Sequence, residues 1–394
     1  MKNVLVLSAA RTPIGSFLGS LSGLGAHEIG ARAIKACLEK TEVPPYRVDQ
    51  VLLGNVLQAG QGQAPARQAL IAAGLPKSTG AVTIHKVCGS GMRALMDGAN
   101  AILAGEHDVV VAGGMESMSN APYLLQKGRT GLRMGHGQLL DSMVHDGLWD
   151  PYKNVHMGNC AEMCAARYAF TREAQDAFAL ESYQRARRAN ESGDFRAEMV
   201  PVSIEGKKGT VVVDRDEEPF ATPQEKLEKM GTLKPAFQKD GTVTAANSSK
   251  INDGAAALLL AGEAVAQETG AKPIGRIVSY ASHAHEPEWF TTAPSFAAKK
   301  ALEKAGLPLS QIDLFEVNEA FAVVTMAFVK DLEVDPNRVN VNGGAVAMGH
   351  PIGASGARIL VTLLHALRAR KKKYGLAAIC IGGGEATAMV VEAL

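Results

Sequence analysis

Apolar positions in this chain recur with two periods, and their alternation outlines its architecture. Short apolar runs of strand length occur at Val4 to Ser8, Gln50 to Leu53, Val82 to Val87 and Val109 to Ala112. Between them the spacing becomes helical, around Ala26 to Lys40 and again from Gly89. In that second helix Met92, Leu95, Met96, Ala99, Ile102 and Leu103 share one face at i, i+3, i+4 intervals. Strands alternating with helices predict mixed, largely parallel sheets covered by helices. The helix after residue 88 is expected to pack in the middle of the molecule.

The pattern then repeats. Leu302-Glu303-Lys304 lies over Leu38-Glu39-Lys40, Pro308 over Pro44 and Asp313 over Asp49, each 264 residues further on. Ser355-Gly356-Ala357-Arg358-Ile359-Leu360 lies over Ser90-Gly91-Met92-Arg93-Ala94-Leu95, and Ile381-Gly382-Gly383-Gly384-Glu385 over Ala112-Gly113-Gly114-Met115-Glu116. Blocks matching in one order imply a duplicated chain. The unmatched stretch from about Ser119 to Ser249 reads as an insertion into the first half, with a charged amphipathic helix around 171–192. Arg172, Arg185, Arg187, Arg188, Lys207 and Lys208 give it scattered positive charge, better read residue by residue as solvated surface than as ligand contacts.

Composition sharpens this picture. A chain of 394 residues exceeds one ordinary core. Two domains are expected, 1–265 with the insertion at about 119–249 inside it, and 270–394. Hydrophobic residues at 46% and charged ones at 21% are ordinary for a globular protein in water. Lys plus Arg number 41 against 40 Asp plus Glu, so no basic field invites nucleic acid or an anionic membrane. No cleavable signal pattern precedes Val4 and no apolar run reaches about eighteen residues, so a cytoplasmic protein is expected. Five cysteines, Cys37, Cys88, Cys160, Cys164 and Cys380, are an odd, scattered set that reads as free thiols.

Chemistry concentrates at strand ends. Cys88, in Val87-Cys88-Gly89-Ser90-Gly91, stands where a strand gives way to a helix, and helix-terminal N–H groups can lower a thiol pKa to about 3.5–7.5. A lone cysteine there reads more readily as a small buried hydrophobe; its neighbours in the fold reverse that preference. His350 precedes Pro351, which biases it away from helical dihedrals and onto a loop just before a helix. By the repeat Gly353 lies over Cys88, so the His350 loop and the Cys88 turn occupy equivalent ends of the two halves. Cys380 ends the apolar strand Leu376 to Ile379 and is followed by Gly382-Gly383-Gly384, whose N–H groups could cradle an oxyanion. Asn318 follows the strand Leu314 to Val317 and is a candidate holder of a water or an oxyanion, although such an Asn is commonly a turn residue.

Together these blocks resemble the thiolase family along essentially the whole chain. Val87-Cys88-Gly89-Ser90-Gly91-Met92 resembles its acyl-accepting cysteine motif, Asn318-Glu319-Ala320-Phe321-Ala322 its Asn-Glu-Ala-Phe motif, Gly349-His350-Pro351 its histidine motif and Cys380-Ile381-Gly382-Gly383-Gly384 its second cysteine motif. The resemblance implies a duplicated, five-layered α/β/α/β/α fold with an inserted cap that binds coenzyme A. It implies an acetyl-CoA C-acetyltransferase activity in which Cys88 carries the acetyl group, His350 takes its proton and Cys380 works on the methyl of a second acetyl-CoA. His350 with a water on Asn318 resembles one oxyanion hole, and the N–H groups of Cys88 and Gly382 the other.

Substrate features follow from the same resemblance. Leu148, His156 and Met157 favour the short-chain type, Phe290 and Phe321 narrow the pocket, and Ser249 matches the serine near the pantetheine arm. The partners are then acetyl-CoA, acetoacetyl-CoA and CoA, in a homotetramer built as a dimer of dimers, with Met134-Gly135-His136-Gly137 a candidate contact. No cofactor is expected. No metal is expected either, because Pro219 stands where the metal-contacting Tyr of mitochondrial acetoacetyl thiolases would be. Lys250, where a small residue is usual, His85, where Asn is common, and Phe220, near a usual Arg, depart from the pattern. The rival readings are a 3-ketoacyl-CoA thiolase of longer chains in fatty acid metabolism, a ketoacyl synthase, which Cys380 argues against, and a non-catalytic acyl-CoA carrier.

Overall fold

The computed structural model describes residues 3–206 and 209–394, so Lys207 and Lys208 lie outside the described residues. The long elements of the first half are β1 (Val4–Arg11), α1 (Ala26–Glu39), β2 (Gln50–Gly54), α2 (Pro65–Ala72), β3 (Gly80–Ile84), α3 (Ser90–Ala104) and β4 (Val109–Ser117). The insertion contributes α4 (Met157–Tyr168) and α5 (Arg172–Ser192). After it come β5 (Asn252–Gly262), β6 (Gly275–Ala284), α6 (Ala293–Ala305), β7 (Leu314–Val317), α7 (Ala322–Leu332), α8 (Ile352–Ala369), β8 (Tyr374–Ile381) and β9 (Glu385–Ala393).

The strands run β7-β8-β9-β6-β1-β5-β4-β2-β3 across the molecule. The duplication is legible in that order, because β2, β4, β5 and β1 on one side correspond to β7, β8, β9 and β6 on the other. The pairs β2–β4 and β7–β8 are parallel, whereas β4–β5 and β8–β9 are antiparallel. The equivalent strands β1 and β6 meet antiparallel, Val4–Val6 against Ile277–Gly275, as a two-fold relation requires. Strands such as β1 and β4 are buried along their whole length because both faces are covered, which explains apolar runs in place of alternation.

Three cores separate five layers. One lies between the first half of the sheet and α1 with α2, where Ile29, Ile34 and Leu70 meet Leu7 and Val111. The central one holds α3 and α8 between the two halves of the sheet, and the third holds α6 with Phe328 of α7 against Phe315 and Val390. The central helices touch through glycines: a Cβ on Gly91 would stand 2.7 Å from the Ala357 nitrogen, and one on Gly356 2.5 Å from that of Met92. This close crossing brings the N-terminal ends of α3 and α8 side by side. Of the apolar face expected for α3, Met92, Leu95, Met96, Ala99 and Ile102 are buried, but Leu103 is 44% exposed, because it falls just past the buried stripe at Ile102.

The insertion is bolted down by a buried ion cluster. Arg11 of β1, with no exposed surface, reaches Glu198 at 2.5 Å and Asp216 at 2.7 Å. Among the described residues no helix is long and apolar enough to cross a membrane.

Candidate active site

The chain leaves β3 at Ile84, earlier than the apolar run through Val87 predicts, because Val87 adopts φ +43°. A β-branched residue rarely takes this left-handed conformation, which costs on the order of 1–3 kcal/mol. The turn is held by Ser90 Oγ, which donates to the Val87 carbonyl at 2.6 Å and accepts from the Lys86 N–H at 2.8 Å. Lys86 in turn pairs with Glu385 across the duplication at 2.5 Å. Gly89 permits the close approach that follows, since a Cβ there would stand 2.3 Å from Ile381 Cδ1. The Cys88 turn therefore rests on the end of β8, where Cys380 is fully buried and the Gly382 N–H donates to the Cys88 thiol.

His350 follows Gly349, whose φ of +105° swings the chain past Asn252 before α8 begins. The His350 N–H is shared between Asn252 Oδ1 at 3.1 Å and the Lys250 carbonyl at 3.2 Å. Its Nδ1 lies 2.6 Å from Ser355 Oγ, which donates its own hydrogen to the Pro351 carbonyl at 3.0 Å. That hydrogen is spent, so Ser355 accepts from Nδ1–H and the hydrogen-bond network leaves the lone pair on Nε2. Nε2 faces the Asn318 side-chain amide at 3.4 Å. Next to Asn318, buried Glu319 accepts from Asn340 Nδ2 at 2.8 Å and from the Val346 N–H at 3.1 Å, which ties this segment to the turn preceding His350.

Burial dominates the electrostatics. It pushes the Cys88 thiol up to about 11 against the opposing N–H groups of Gly382 and Cys88, and it lowers His350 to about 3, with Arg358 adding to the shift. Cys380 is raised well above the ordinary thiol range, first by burial and then by Cys88. The expectation of a lowered Cys88 pKa is thus corrected. One helix terminus does not repay the loss of water around the sulfur, and the Cys88 thiol and the His350 imidazole both rest neutral at the same cleft.

A cleft of about 610 Å³ opens onto these groups. Cys88, His350 and Gly382 line it, as do Leu148, His156, Met157, Ser249, Phe290 and Phe321. Cys380 and Asn318 do not line the cleft; both are fully buried, one beside Cys88 and the other beside His350. The residues read from sequence are thus brought together, with two of them behind the lining. Others were missed. Phe237 stacks on His156 with ring centres 4.7 Å apart and meets Phe321 edge-on at 6.0 Å. Gly158 carried a trace of this, since a Cβ there would fall 2.3 Å from the Phe237 ring, but nothing in the sequence names the partner. Ser355 was visible only as part of the repeat, and Lys250 only as a departure.

A thiol and an imidazole at one cleft, with a second thiol buried behind it at the junction of a duplicated α/β chain, are the groups of an acyltransferase site. Residues 4–264 match the thiolase N-terminal domain and residues 271–393 the thiolase C-terminal domain. The chain belongs to the thiolase family. It is 52% identical to the acetyl-CoA acetyltransferase of Pseudomonas aeruginosa over 392 residues, 99% of each chain. It is also 52% identical to that of Escherichia coli over 395 residues, all of both chains. Among solved structures, the acetyl-CoA acetyltransferase of Bacillus anthracis superposes with a TM-score of 0.97 at 42% identity, covering 100% of this chain and 99% of that one. A thiolase from Ascaris suum in complex with coenzyme A superposes with a TM-score of 0.94 at 49% identity over the whole of both chains.

Proposed function

We propose that this protein is an acetyl-CoA C-acetyltransferase, joining two acetyl-CoA into acetoacetyl-CoA plus CoA and reversing that reaction by thiolysis. The observation that carries the reading is Cys88 and His350 at one cleft with Cys380 buried beside Cys88, on a chain about half identical to acetyl-CoA acetyltransferases along its full length. As Cys88 sulfur attacks the thioester carbonyl, its proton passes to His350 Nε2. The acyl–CoA sulfur bond breaks, and the departing CoA sulfur takes the proton of Cys380 while His350 keeps its own at Nε2. The N–H groups of Cys88 and Gly382 stabilise the negative oxygen. Acetylation also removes Cys88 as a source of negative charge beside Cys380, so the second thiol ionises at lower cost once the first is loaded. Cys380 then withdraws a methyl proton from the second acetyl-CoA. The Nε2–H of His350 with Asn318 steadies the enolate oxygen, the carbon attacks acetyl-Cys88, and the Cys88 sulfur released by that attack takes its proton back from His350.

Short acyl groups fit the aromatic wall of His156, Phe237, Phe321 and Phe290, with Leu148 and Met157 beside it and Ser249 toward the pantetheine arm. Arg215, stacked on Phe220 at 4.7 Å, supplies positive charge where Phe220 replaces the expected Arg. The division into 1–265 and 270–394, with a CoA-covering insertion at about 119–249, belongs to the same proposal. So does a cytoplasmic homotetramer working without metal or cofactor. Thiolysis rates with acetoacetyl-CoA and with 3-oxoacyl-CoA of six and eight carbons test the substrate range. A fall of about tenfold or more per added pair of carbons is expected; equal rates would favour a longer-chain thiolase of fatty acid metabolism.

A further inference from the structure

The loop 244–250 lines one side of the cleft and carries a charge that the chemistry above does not use. Lys250 lines the cleft, and its Nζ turns back onto its own loop, donating to the Ala245 carbonyl and to the Ser248 carbonyl at 3.0 Å. The ring of buried Tyr183 lies 5.8 Å from the same nitrogen, so carbonyl oxygens and an aromatic face surround one ammonium. Burial lowers its pKa to about 8 with Glu218 opposing, which leaves it charged at neutral pH.

The other edge of this loop holds the catalytic segments. The Ser249 N–H donates to the Ala320 carbonyl at 3.0 Å, and the Ala322 N–H to the Asn247 carbonyl at 2.9 Å, stitching the loop to the stretch just after Asn318. The carbonyl of Lys250 itself accepts from the His350 N–H at 3.2 Å. Both members of the Asn318–His350 contact, 3.4 Å apart, thus hang from one loop.

We propose that Lys250 is a positioning residue: its ammonium is a tethered cation that draws the Ala245 and Ser248 carbonyls together and so sets the alignment of Asn318 with His350. Without a positive charge between them, two carbonyl dipoles aimed at one point in a poorly hydrated pocket repel, and the loop relaxes outward. An ammonium or potassium ion from solution is close enough in size and charge to the lysine head to take its place once the side chain is cut back. A methionine fills the same space without charge and leaves no room for the ion.

The test compares kcat and KM for acetoacetyl-CoA thiolysis in the wild type, Lys250→Ala, Lys250→Met and Lys250→Arg. Each is assayed in tetramethylammonium chloride and again with ammonium or potassium chloride at equal ionic strength, with thermal unfolding followed alongside. The expected result is a kcat about tenfold lower for Lys250→Ala, below the roughly 10²-fold that a 1 Å misplacement can cost, recovering severalfold with ammonium or potassium. Lys250→Met stays slow in every salt, and Lys250→Arg keeps most of the activity. Wild-type kcat in Lys250→Met, or no response of Lys250→Ala to ammonium or potassium, overturns the proposal. If Lys250→Ala does not fold, the contrast between Lys250→Met and Lys250→Arg decides by itself. The readout rests on the acetyl-transfer reading, but the two fail separately. An inactive wild type counts against that reading, whereas variants indistinguishable from an active wild type count against the tethered cation.

Discussion

Ser355 Oγ lies 2.6 Å from His350 Nδ1, and with its own hydrogen given to the Pro351 carbonyl it accepts the Nδ1 hydrogen. This fixes the imidazole with Nε2 as the base. Ser355→Ala removes the acceptor and frees the ring to change tautomer and rotate. A drop in kcat of about tenfold or more is expected, within the roughly 10²–10⁴ that a positioned base contributes, with KM little changed. Steady-state thiolysis kinetics check it; unaltered kcat would mean the tautomer is set elsewhere.

The raised Cys88 thiol gives a pH prediction with a definite sign. Burial favours the neutral form and puts the pKa at about 11, so the thiolate fraction of the free enzyme rises roughly tenfold per pH unit through the neutral range. Alkylation of Cys88 by iodoacetamide, followed by peptide mass spectrometry, is expected to accelerate from pH 7 to pH 10 without a plateau. A plateau below pH 8 would indicate a standing thiolate paired with a charged His350, contrary to the lowered imidazole pKa.

Stability should be concentrated where the insertion meets the core. Arg11→Met strands the carboxylates of Glu198 and Asp216 in a site with no exposed surface, at an expected cost of roughly 3–5 kcal/mol. The surface pair Arg47–Glu268, 2.7 Å long, is a control, and Arg47→Met should leave stability almost unchanged because solvent screens the pair. Urea unfolding of both variants measures the difference.

Much of this was legible in the sequence because duplication and chemistry leave local marks. The blocks at Leu38, Ser90 and Ala112 recur in the second half and forecast the matching strand order. Cys88, His350, Asn318 and Cys380 were each placed at the end of a strand or before a helix, where the structure has them. What escaped depends on contacts between distant segments. Leu103 continues the helical period yet faces outward, since periodicity does not state how wide the buried stripe is. The end of β3 moved from Val87 to Ile84 because a left-handed valine has no signature of its own. The sign of the Cys88 shift was wrong for the same reason: a helix terminus is visible in sequence, whereas the packing that removes water from the sulfur is not. Phe237 and Lys250 became part of the cleft only when the insertion folded back over the catalytic turn.

The central claim is that Cys88 carries the acetyl group. Incubating the protein with acetyl-CoA alone, and comparing wild type with Cys88→Ala by intact and peptide mass spectrometry, tests it most directly. The account predicts one added acetyl group on the peptide containing Cys88, absent from the variant. Acetylation that persists in Cys88→Ala, or a wild type that takes up no acetyl group, would contradict it.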